Sequence, residues 1–232
     1  MNAGRIMAIF EKDIKEFTRN MMLFTTILLP IFLAFIYSRM GEEVLPPMIV
    51  YLVVGVAFAG ILCSGIMAMM AEENEKNTLR GLVQSPASMM DILVGKSLVV
   101  VLMTVGSLIV SFILMNTGFE WSPAVLAGLI LLGLFFLNIG IAVGLTVDSV
   151  ATTSVYLLPV MFIFGFTPMI ELIVQDPEHL ARRIADYLPI YQNIAIHEGE
   201  IAVPPVILVA WTLVSFLYVV WSFRKRMSDE KK

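Results

Sequence analysis

The chain has 232 residues, of which 59% are hydrophobic and 15% charged, with a net charge of −4. A soluble domain is about 45–50% apolar and about 25% charged, so an ordinary soluble fold is excluded, and the acidic balance gives no case for binding nucleic acid. Cys63, the lone cysteine, rules out a disulfide within the chain and a cysteine metal cluster; it sits in an apolar block as a small packing residue.

The apolar residues fall in blocks of about 17 to 26, and about 20 residues at 1.5 Å rise cross the ~30 Å hydrocarbon core of a bilayer. A helix satisfies its own backbone in lipid, so each block reads as a transmembrane helix. The fold class is therefore all-α: a polytopic membrane protein of six spans forming a single transmembrane domain over 1–232.

In chain order, residues 4–20 form an amphipathic helix with Ile6, Phe10, Ile14 and Phe17 at helical spacing. Such a helix is expected in the membrane interface with its apolar face toward lipid. A cleavable signal peptide is disfavoured, because the leader is long and acidic and no small-residue cleavage site follows Tyr37. The spans are expected at 21–37, 47–71, 91–115, 124–147, 153–174 and 206–223. Pro30 should kink the first, and Pro159 and Pro168 break the fifth. In the fourth, Gly140 and Gly144 form a small-xxx-small face for close helix approach. Residues 72–90 make a polar loop with helical content, in which Ser88 and Asp91 cap the third span. Residues 175–205 form a long polar segment with a short amphipathic helix around 177–187, and RKRMSDEKK ends the chain as a basic anchor.

Lys and Arg set the orientation. With a cytoplasmic N-terminus, twelve of the fifteen fall inside: Arg5, Lys12, Lys15 and Arg19, then Lys76, Arg80 and Lys96, then the five of the tail. Only Arg39, Arg182 and Arg183 fall outside. Both termini and the 72–90 loop are thus expected in the cytoplasm, and 175–205 on the extracellular side.

The chemistry of a membrane enzyme is not legible. His179 and His197 both lie in the outer segment, with no nucleophile triad or metal spacing around them. Gly95-Lys96-Ser97 looks like the end of a phosphate-binding loop, but Met90 stands where that loop needs its first glycine, and no strand precedes it. The spans carry almost no ionisable groups, which argues against an ion-driven carrier. Lys96, about a turn and a half into the third span, is expected to snorkel to the surface.

The segment Glu73-Asn74-Glu75-Lys76-Asn77-Thr78-Leu79-Arg80-Gly81-Leu82-Val83-Gln84-Ser85-Pro86, followed by Gly95-Lys96, resembles the cytoplasmic loop of ABC-2-type permeases, the membrane subunits of one class of ATP-binding-cassette exporters. Asn74, Asn77 and Arg80 depart from the pattern, where the family commonly has a base, a glycine and an acid. The resemblance implies that 72–90 is a coupling loop whose short helix docks on a separate ATPase. Its contacts would come from Glu73, Glu75, Thr78, Leu79, Arg80, Leu82, Val83, Ser85 and Pro86. It implies no cofactor bound by this chain, ATP and Mg on the ATPase, and a complex of two permeases (a second copy or a paralogue) with two ATPases. Spans 1, 2 and 5 would line a substrate path, with Phe32, Phe35, Phe58, Met67, Met161 and Phe164 as candidates, and Tyr187, Pro189 and Tyr191 would form a re-entrant outer gate.

The function expected is that of a non-catalytic permease subunit in a bacterial plasma membrane, exporting an amphipathic or hydrophobic cargo such as a toxin peptide, an antimicrobial peptide or a drug. The alternatives are an ATP-independent immunity or sequestering protein, and ABC export of lipid-linked or polysaccharide cargo.

Overall fold

The computed structural model describes residues 2–40, 45–76, 89–116, 121–176 and 178–229. Among them there are helices and no strands: α1 (Ala3–Arg19), α2 (Met21–Tyr37), α3 (Pro47–Glu75), α4 (Met89–Met115), α5 (Pro123–Thr146), α6 (Val150–Gly165), α7 (Thr167–Ile173), α8 (Leu180–Ala185), α9 (Pro189–His197) and α10 (Pro204–Asp229). Helices α3, α4, α5 and α10 are each long and apolar enough to cross a membrane. Two bent pairs, α1 with α2 at 71° and α6 with α7 at 55°, bring the candidates to six. The chain is an all-α polytopic membrane protein.

Helix α3 is the axis. Its most apolar 18 residues are all buried inside the protein, as expected of a helix that is hydrophobic all round. Pro47 opens it at N1, where the missing N–H costs nothing. It runs to Glu75, past the expected end at Ala71, so part of the expected loop is helical. Midway, Phe58–Cys63 widens into a π-helix, and the Ser64 hydroxyl donates to the Gly60 carbonyl. Helix α6 carries a second π segment, Met161–Gly165, just after Pro159. Proline removes one backbone donor and crowds the preceding turn, which loosens the ladder there. The two π segments meet through small residues: a Cβ on Gly165 would lie 3.0 Å from Ala59 Cβ.

Helix α5 packs on α3 through the expected small-residue face. A Cβ on Gly144 would lie 2.8 Å from Met70 Cβ and 3.0 Å from the Met67 carbonyl oxygen. Pro30 lies within α2, which continues as one helix from Met21 to Tyr37.

Helix α1 departs from expectation. Its apolar face turns to the protein rather than to lipid: Phe17 is buried, and α1 packs along α4. Gly95 makes the room, since a Cβ there would lie 2.8 Å from Ile9 Cγ2. The physical reason is Asp13, which shares this face and is fully buried. A carboxylate against hydrocarbon is costly, whereas here it meets cations.

At the opposite end of the bundle, α9 is tucked inside. Ile190, Asn193, Ile194 and Ile196 are buried, and α9 packs on α3, α5 and α10.

Candidate functional site

The end of α3 that leads into residues 77–88 carries four consecutive polar residues, Glu73 to Lys76, each bound to other parts of the fold. Glu73 is buried, and its Oε1 lies 3.0 Å from Lys96 Nζ on α4 and 3.3 Å from Lys12 Nζ on α1. Asn74, also buried, donates from Nδ2 to the carbonyls of Gly144 and Val147, both at 2.9 Å. These belong to the last turn of α5 and its cap, where carbonyls have no partner within the helix. Glu75 Oε2 accepts from the Val150 N–H at 2.9 Å, placing a carboxylate at the N-terminus of α6, where the helix dipole favours it. Lys76 pairs with Glu72 one turn back and lies 3.7 Å from Glu16 on α1. One short stretch thus ties the end of α3 to α1, α4, α5 and α6.

The charges at the centre balance. Asp13 on α1 lies 3.2 Å from Lys96 and 3.4 Å from Lys12, so two buried carboxylates, Asp13 and Glu73, face two ammonium groups. Lys96 is 2% exposed, so it does not snorkel; it is held between Asp13 and Glu73. Burial works against the Lys12 ammonium, but Asp13, Glu73 and Glu16 outweigh it and its pKa is raised. A further tie joins α1 to the start of α4: the Asn2 N–H donates to Asp91 Oδ1 at 3.0 Å.

The sequence reading missed Asp13. The signal was present: Asp13 stands three residues after Phe10 and four before Phe17, on the apolar face itself. An acid there calls for a buried cation, and Lys96 is a lysine set inside a span.

Among the expected ATPase contacts, Glu73 and Glu75 are the ones described, and both are engaged within the chain. Thr78, Leu79, Arg80, Leu82, Val83, Ser85 and Pro86 lie outside the described residues, as does Ser88. The expected path residues do not share one cavity. Phe32 and Phe35 are exposed on α2, Phe58 and Met67 are core residues, and Met161 and Phe164 are half-buried against that core. The residues expected at the outer gate lie together at the end of the bundle opposite α1. Pro189 starts α9, and Tyr187 and Tyr191 both line a cavity of ≈380 Å³ with Glu171, Asp186, Glu198 and Glu200. The Tyr187 carbonyl accepts from Trp211 Nε1 at 2.8 Å, which fastens this segment to α10.

No curated protein matches the chain. A family model described as ABC-2 family transporter protein matches residues 43–221, which covers α3 through most of α10. The chain belongs to this family, and it is accordingly a membrane-spanning permease subunit of an ABC transporter, a class of subunit that works with an ABC ATPase.

Proposed function

We propose that this permease exports an amphipathic or hydrophobic cargo, such as a toxin or antimicrobial peptide or a drug, from a bacterial cell. It sits in the plasma membrane with both termini and residues 72–90 in the cytoplasm, as the distribution of Lys and Arg favours. A separate ATPase carries ATP and Mg and grips residues 78–86. Two permeases, identical or paralogous, and two ATPases complete the transporter.

The observation that carries this reading is the junction at Glu73–Lys76. A push on the loop reaches α3 directly. Through Glu73, Asn74 and Glu75 it also reaches α1 and α4, the end of α5 and the start of α6. Short charge-assisted bonds and buried ion pairs move together as a unit, which a transmission element requires. Motion of α3 bears on α6 where their π segments meet, a kind of helix irregularity frequent at functional sites.

The test is affinity purification of the tagged permease in mild detergent, with ATPase activity assayed on the eluate. A stoichiometric nucleotide-binding protein is expected, and it should be lost on Leu79→Glu with Leu82→Glu while the permease still inserts. A permease that purifies without an ATPase, or one that keeps full transport with both charges in place, overturns the reading.

A further inference from the structure

Helices α4 and α5 follow one another in the chain yet barely touch among the described residues. The space between them is a groove of ≈600 Å³. Val105, Ile109 and Ile113 of α4 form one wall, and Leu126, Ile130 and Leu134 of α5 the other. Its floor is Phe58 and Leu62, from the π segment of α3. Apart from the indole of Trp121 at its end, Thr104 is the polar side chain in the lining; it is 1% exposed, and its hydroxyl already donates to the Val100 carbonyl at 2.7 Å. Trp121 closes the end away from α1, its ring 5.6 Å from that of Phe112.

We propose that this groove holds one acyl chain of a phospholipid from the leaflet on the Trp121 side. Four observations choose that occupant. Between Trp121 at one end and Val101 at the other the lining is apolar apart from the Thr104 hydroxyl, which is already bonded, so an extended peptide would leave its backbone groups unsatisfied. The groove runs along α4 from Ile113 to Val101, about 18 Å at 1.5 Å per residue, which is close to the depth of one leaflet of a ~30 Å core. Its volume of ≈600 Å³ takes about 20 groups of water or methylene size at roughly 30 Å³ each. A helix 10–12 Å wide over that length would need roughly 1,400–2,000 Å³, so a span of a second copy could lie over the groove but not within it. Trp121, half-exposed at one end, stands where aromatic side chains meet the headgroup level. The seated chain props α4 and α5 apart and presses on the π segment of α3, so a lipid becomes part of the wall behind the central helix.

Gly133 provides the test. It lies in the floor, and a Cβ there meets nothing closer than Phe58 Cζ at 3.7 Å, so a larger side chain enters the groove rather than the core. The full chain is reconstituted in dioleoylphosphatidylcholine vesicles, re-extracted and washed in detergent, and its phospholipid phosphorus per chain is measured. The wild type is expected to retain one lipid that resists washing, and Gly133→Leu to lose it. Val105→Phe, which fills the groove from the opposite wall, should lose it too. Gly106→Leu should retain it, because Gly106 is exposed on α4 with nothing within 4 Å of its Cβ. Added lipid should raise the melting temperature of the wild type and of Gly106→Leu, and leave the two filled variants unmoved. A wild type that washes free of lipid, or equal retention in all four proteins, overturns the proposal. So does a dimer that the filling substitutions dissociate, since the groove would then be a contact between copies.

Discussion

The two ends of the bundle differ in how their buried charges and amides are partnered. At the α1 end the charges are paired and the helix ends are capped: Asp13 and Glu73 face Lys96 and Lys12, Asn74 Nδ2 takes two orphan carbonyls of α5 while its Oδ1 has no partner among the described residues, and the exposed Glu75 takes an orphan N–H of α6. At the other end, Asn193 of α9 is fully buried, and neither the Nδ2 nor the Oδ1 of its amide finds a hydrogen-bond partner among the described residues. The first arrangement fits a part that moves as one piece, because breaking any tie exposes a charge or an orphan group. The second leaves α9 with a cost that another arrangement would relieve, as expected of an element that shifts during the transport cycle.

The largest effect should come from breaking the charge-paired end. Lys96→Met leaves Lys12, whose side chain is 56% exposed, as the cation between Asp13 and Glu73 among the described residues. Removing one member of a buried ion pair costs about 3–5 kcal/mol. The melting temperature in detergent should fall steeply, and α1 should become open to protease. Adding Asp13→Asn to Lys96→Met should recover part of the loss, because the two sites share one network. Losses that simply add would show that the cluster is not a unit.

This contrast also marks what was legible in advance. The spans could be read because lipid imposes one rule on every residue of a crossing helix, and that rule shows in composition. Gly140 and Gly144 could be read only as a candidate face, since glycine is common in membrane helices, and it is their close packing on α3 that distinguishes them. Which span lies at the centre could not: α3 and α4 have similar hydropathy, yet α3 is buried all round and α4 only in part. That difference is set by packing partners far away in the sequence. Glu73 and Glu75 were found as motif residues, but their direction was not. A carboxylate at the end of a span reads as a surface group until the elements that surround it are known.

Two effects of middle size test the ends separately. At the closely packed seam below the junction, Gly144→Ala places a methyl against Met70 and the α3 backbone. Overpacking of this kind costs about 1–3 kcal/mol, so a lower melting temperature is expected, with the other helix contacts retained. At the opposite end the sign reverses. Asn193→Leu removes a buried unpaired amide, a group that costs about 1–3 kcal/mol. The variant should melt higher than wild type and transport more slowly, because the arrangement seen here becomes harder to leave. A lower melting temperature would mean that Asn193 is satisfied as it stands, and the contrast between the ends would fail.

A smaller effect is expected at Glu75. Its carboxylate receives the Val150 N–H at the first turn of α6, where Ser149 also caps by accepting from the Thr152 N–H at 3.3 Å. With a local cap in place, Glu75→Ala should cost about 1 kcal/mol in stability. Its larger consequence should be in coupling, since it cuts the tie between α3 and α6. If ATP turnover and transport stay in their wild-type ratio, force reaches α6 by the π-segment contact and not through Glu75.

The smallest effect belongs to Lys12, and pH separates it from the rest. Its pKa in the folded protein is raised above the ordinary 10.5: burial opposes the charge, but Asp13, Glu73 and Glu16 prevail. A raised pKa contributes stability that is fully present below the unfolded value and is lost as pH climbs through the folded one. The contribution of Lys12 should therefore be constant through neutral pH and fade only above 10.5. With 56% of its side chain exposed, solvent screens the pairing, and the gain stays below about 1 kcal/mol. Comparing the melting temperatures of wild type and Lys12→Met across that alkaline range reads it directly: the gap should narrow as pH rises. A gap that persists unchanged would mean that Lys12 acts by packing its methylene stem along α1, leaving Lys96 as the cation that holds Asp13 and Glu73 together.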